Sequence, residues 1–75
     1  MEDLSDCDKR ILAEMEEAGL VKPEMIAEEL DEYHPQYVRD RMRTLDDRGL
    51  VHRHYRGVYE ITEAAIGALD EARDD

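Results

Sequence analysis

Near the start of the chain the apolar positions fall three and four residues apart. Leu4, Ile11, Leu12, Met15 and Ala18 make one stripe, with Cys7 on the same side. That spacing predicts a helix over residues 5–18. Ser5 suits its N-cap, Asp6 and Asp8 suit a first turn whose dipole favours acids, and Gly19 suits the C-terminal stop. "LVK", residues 20–22, is too short to stand as a strand alone and is expected to pair as the first strand of a small sheet. Pro23 then occupies a first helical position. A short helix over 23–30 follows, with Ile26, Ala27 and Leu30 inward.

After the turn "DEYH", Pro35 opens a third helix over 35–48, and Gly49 stops it. Val38, Met42 and Leu45 form its buried stripe. "LVHRH" and "VYEIT" each alternate apolar and polar residues around "YRG", with Gly57 free to take positive φ. This predicts a hairpin over 50–61. Thr62 caps a last helix over 63–73, with Ala65, Ile66, Leu69 and Ala72 inward. "RDD" is expected to fray. Helices with one small antiparallel sheet make an α+β fold. A chain of 75 residues holds a single domain, 1–75, with a marginal core.

Charge changes the picture. The chain carries 21 acids and 10 Lys and Arg, a net −11. Arginine outnumbers lysine, Tyr is the sole large aromatic, and one cysteine excludes an internal disulfide. An acid excess with little lysine is the surface chemistry of a protein that stays soluble in concentrated salt. Residues 34–59 depart from it. They hold Arg39, Arg41, Arg43, Arg48, Arg53 and Arg56 against Asp40, Asp46 and Asp47, a local +3, and also all three histidines. The remainder carries 4 bases against 18 acids, −14. Pairing along the helix accounts for Arg43 with Asp47, but not for six arginines against three acids. The asymmetry points to a face that meets a polyanion.

The third helix suits that role. Gln36, Arg39 and Arg43 share a side away from the buried stripe, flanked by Tyr37 and Arg41. A polar helix of this kind fits the major groove, where Arg bonds guanine O6 and N7 and Gln bonds adenine N6 and N7.

The order helix, short strand, helix, turn, helix, hairpin, helix resembles the winged helix-turn-helix. "PEMIAEEL" resembles its second helix. "YVRDRMRTLDDRGLV" resembles its recognition helix entering the first wing strand, with Leu45, Gly49, Leu50 and Val51 as the Leu-x-x-x-Gly-Leu-Val ending. "RGVYEIT" resembles the second wing strand and the following cap. Residues 8–70 resemble the small acidic repressor-like proteins of haloarchaea, including those similar to the phage phi-H repressor. The turn from Leu30 to Val38 is one residue longer than in the tight motif, and Ala65 stands where many relatives carry glycine.

The resemblance implies a sequence-specific DNA-binding transcriptional regulator, a repressor. Its recognition-helix positions would be Gln36, Tyr37, Arg39, Asp40 and Arg43, and its wing tip Arg53, His54, Tyr55 and Arg56. Its partner would be double-stranded DNA, and a homodimer is expected because one recognition helix reads only a few base pairs. The competing readings are a winged-helix protein-docking module and a DNA binder without sequence preference.

Other chemistry finds little support. His52 and His54 share one face of a strand, and with Cys7 or His34 a zinc site is conceivable, but no known zinc spacing occurs. There is no Gly-rich phosphate loop and no nucleophile elbow, so no enzyme, cofactor or small-molecule ligand is expected. No apolar run is long enough to span a membrane, and the acidic N-terminus lacks the features of a signal peptide. A cytoplasmic location is the expectation.

Overall fold

The computed structural model describes residues 4–73. Helix α1 spans Asp6–Ala18, α2 Pro23–Glu29 and α3 Pro35–Asp47. Strands β1, Val51–Arg53, and β2, Tyr59–Ile61, flank a 3-10 turn at Tyr55–Gly57, and α4 spans Glu63–Arg73. The fold is an α+β winged helix.

The core lies where α1, α2 and α3 converge. Ile11, Leu12 and Met15 of α1 and Val38, Met42 and Leu45 of α3 are all fully buried. Ile26, Ala27 and Leu30 close it from α2. Ala18, expected inward, is exposed, although Met15 one turn earlier is fully buried. On α4, Ala65 and Leu69 are buried, whereas Ile66 and Ala72, also expected inward, are only half-buried. Among the described residues that helix packs chiefly against α1.

The strands pair antiparallel with Val51 opposite Ile61, His52 opposite Glu60 and Arg53 opposite Tyr59. Val21 adds one bridge to the free edge of β2, with N–H to O distances of 2.9 and 2.7 Å to Tyr59. The expected first strand is thus one residue long. The ladder is also shorter than the alternation suggests. His54 and Val58 leave it to close the turn, the His54 N–H reaching the Val58 carbonyl at 2.6 Å.

Two junctions aim the third helix and the wing. At the end of α3 the Gly49 N–H bonds the Asp46 carbonyl at 3.0 Å and the Leu50 N–H bonds the Leu45 carbonyl at 2.9 Å. This is a Schellman motif, with Gly49 at φ 78° and buried Leu45 and Leu50 as its apolar contact. Thr62 then joins the wing to the same place. Its Oγ1 donates to the carbonyls of Gly49 at 2.8 Å and Leu50 at 3.1 Å, and accepts from the Ala65 N–H at 3.2 Å. One hydroxyl therefore ties together the exit of α3, the return of the wing and the start of α4.

Candidate nucleic-acid interface

Burial of Val38, Met42 and Leu45 turns the opposite side of α3 outward, and Gln36, Tyr37, Arg39, Asp40 and Arg43 are all exposed there. His34 caps the helix, its Nδ1 accepting from the Gln36 N–H at 3.1 Å. Pro35 at the first position has no N–H to satisfy. Gln36 is not loose: its Nε2 donates to Asp40 Oδ1 at 2.9 Å, one turn on. Tyr37 leans on Tyr33, with ring centroids 5.9 Å apart. Arg39 and Arg43 make no hydrogen bond or ion pair among the described residues. The expected Arg43–Asp47 pair is not formed.

Arg41, which the charge count placed on this face, belongs elsewhere. Its Nε and Nη2 donate to the two oxygens of Asp8 at 2.9 and 2.7 Å. Asp8 is fully buried, and it also accepts from the Ser5 N–H at 3.2 Å while its own N–H reaches Ser5 Oγ at 3.1 Å. Burial pushes the Asp8 carboxyl up, but the bonds from Arg41 and Ser5 outweigh it and hold the group below its ordinary value. The hydrogen bond to Asp8 raises the Arg41 guanidinium. The pair bolts the start of α1 to the middle of α3 and takes one arginine from the outer charge. Next to it, Cys7 is buried, and that burial, with Asp8 adding, raises its thiol. It is a small core residue, not a reactive one.

The wing carries the second group. Arg53 is exposed on β1 and, among the described residues, unpaired. His54 Nε2 lies 2.8 Å from Glu60 Oε1, and the ring of His52 meets that of His54 edge-on at 4.7 Å. The two histidines do share a face, but their carboxylate neighbour is tied to a ring nitrogen. Among the described residues no three His, Cys, Asp or Glu are grouped to hold a metal. At the tip, Tyr55 is 84% exposed, and the Arg56 guanidinium lies 5.5 Å from the centre of its ring. Arg56 and Gly57 take φ of 68° and 74° in succession. The glycine was legible as a positive-φ position, but the left-handed arginine beside it was not.

One further basic residue was missed. Lys22 joins Arg53 and Arg56 around an open depression that is also lined by Pro23, Glu24, Gly57 and Tyr59. Its only sequence signal was a position just before Pro23, at the end of the segment that bridges to β2. The residues of α3 and those of the wing thus form two clusters, joined at the Gly49–Thr62 junction.

No curated protein and no solved structure matches the chain. No helix among the described residues is long and apolar enough to cross a membrane. A family model, the ribonuclease R winged-helix domain, matches residues 9–69, from the first turn of α1 into α4. Winged-helix domains commonly bind nucleic acid. With three helices, a bridged hairpin and a closing helix in that order over the matched span, the chain belongs to the ribonuclease R winged-helix domain family.

Proposed function

We propose that this chain binds double-stranded DNA in a sequence-specific manner and regulates transcription as a repressor. In this reading α3 lies in the major groove, and the wing rests on the backbone or in the minor groove. The observation that carries it is that Arg39 and Arg43, exposed on α3, make no ion pair among the described residues of a chain of net charge −11, although Arg39 also lines a depression with Glu24, Glu28 and Asp31. An acidic protein that leaves two cations without partners on one helix has a polyanion to meet there. Occupying a site is the simplest regulatory act for so small a domain, and blocking is its outcome. The domain performs no catalysis in this reading, and it acts in the cytoplasm.

The Gln36–Asp40 bond gives the helix a preset amide and carboxylate on the same side as its two arginines. An amide bonds adenine and a carboxylate accepts from cytosine N4, so this pair supplies base contacts beside the guanine contacts of Arg39 and Arg43. One α3 covers few base pairs. The proposal therefore includes a homodimer joined through α1 and α4, which leaves α3 and the wing free for half-sites about 34–36 Å apart.

The matched family favours a second reading, in which the polyanion is RNA. A-form RNA has a deep, narrow major groove that admits no helix, so α3 would then contact phosphates and 2′-hydroxyls without reading bases. Selection of bound fragments from random duplex DNA at high potassium chloride separates the two. A recovered consensus supports the repressor. Recovery without a consensus, with tighter binding to duplex RNA of any sequence, supports the second reading.

A further inference from the structure

The wing tip contains more than phosphate binding needs. Tyr55 is the most exposed of the large apolar and aromatic side chains among the described residues, at 84%. Among the described residues the one contact on its ring is the Arg56 guanidinium, 5.5 Å from its centre. That guanidinium reaches the ring from a backbone at φ 68°, a left-handed conformation that is strained for a non-glycine residue and persists where surroundings impose it. Arg56 also lines the depression that holds Lys22 and Arg53, three cations around one acid, Glu24. One arginine thus stands between an open aromatic face and an unneutralised basic hollow.

We propose that the wing tip is a binding site for one unpaired nucleotide. The base stacks on the free face of Tyr55, and its phosphate lies in the hollow of Lys22, Arg53 and Arg56. A base inside a duplex has both faces occupied by its neighbours, so only a base at an end, in a tail or at an opened step offers a free π-face. Stacking on Tyr and cation–π support from Arg are tolerant of base identity. The site therefore recognises a break in the duplex, not a sequence. This rests on the reading that the basic face holds nucleic acid, and it goes beyond that reading by adding a contact that the interior of a duplex does not satisfy.

Three probes test it: a blunt duplex, the same duplex with a short thymidine tail, and the same tail built from abasic sugars, each made in DNA and in RNA. The abasic tail keeps the phosphates and removes the base faces. The wild-type chain is expected to prefer the thymidine tail over the abasic tail by about 5- to 150-fold, the range of one lost stack. Tyr55→Ala brings that ratio to about one, and Tyr55→Phe keeps it, as stacking requires. Lys22→Ala weakens both tailed probes and flattens their salt dependence while keeping the ratio. A preference in the DNA or the RNA arm supports the site and names the strand it takes. A wild-type ratio of about one, or a Tyr55→Ala variant that keeps the wild-type ratio, overturns the stacking site. Blunt duplex bound without a base preference in the tails sinks this inference alone. Tails bound with a base preference and no blunt duplex bound sinks the major-groove reading alone. No probe bound sinks both.

Discussion

Arg41 grips the buried carboxylate of Asp8 with two donors, at 2.9 and 2.7 Å, and so joins the first turn of α1 to the centre of α3. Asp8 is inaccessible to solvent, so its charge depends on that arginine and on the Ser5 N–H. Arg41→Met leaves the carboxylate buried without a counter-charge and is expected to cost about 3–5 kcal/mol. The double variant with Asp8→Leu should recover most of that loss, although it also gives up the bond from the Ser5 N–H to the Asp8 carboxylate. Denaturant unfolding of the singles and the double measures it. A cost under about 1 kcal/mol for Arg41→Met would make the pair incidental.

The same pair sets a pH dependence. The folded-state pKa of Asp8 lies below its unfolded value, so the stabilisation is complete above the unfolded value. It is lost as pH falls through the folded one. Stability should therefore decline from the ordinary aspartate range, about 4, downward. Asp8→Asn should flatten that decline, which melting curves across the acid range would reveal.

Thr62 is the joint between α3 and the wing. Thr62→Val removes the bonds to Gly49 and Leu50 and the cap on Ala65, and about 1–2 kcal/mol should go with them. Unfolding of the variant measures the loss, and an unchanged midpoint would refute the joint.

Much of this architecture is legible in the sequence, for physical reasons that also mark the limits. Val38, Met42 and Leu45 repeat at helical spacing, so the buried and outward sides of α3 follow from three residues. Gly49 and Thr62 are signals because each backbone position asks for one residue type. Asp8 and Arg41 stand 33 residues apart, and no periodicity links them. Asp8 reads as an exposed partner of the helix dipole and Arg41 as one more surface cation, and only packing shows that they cancel. The left-handed Arg56 is hidden by Gly57, which alone explains a turn. Lys22 joins the wing only through the single bridge of Val21 to Tyr59.

Acid excess is expected to make the fold depend on salt. Outside residues 34–59 the chain carries −14, and that repulsion is screened as the Debye length falls from about 10 Å at about 0.1 M salt to about 3 Å at about 1 M. The melting midpoint should rise markedly between those conditions. A flat midpoint would show that the acids are spaced too widely to repel.

The central claim is that α3 reads bases while the wing holds the backbone. It is tested most directly by binding Arg39→Ala and Arg56→Ala to matched and mismatched duplexes at two salt concentrations. Arg39→Ala should cost about 1–3 kcal/mol on the matched site and relax preference at one or two positions. Arg56→Ala should weaken every sequence alike and lower the salt slope by about one unit. If Arg39→Ala is indifferent to sequence while Arg56→Ala changes preference, α3 is not the reading element and the account is wrong.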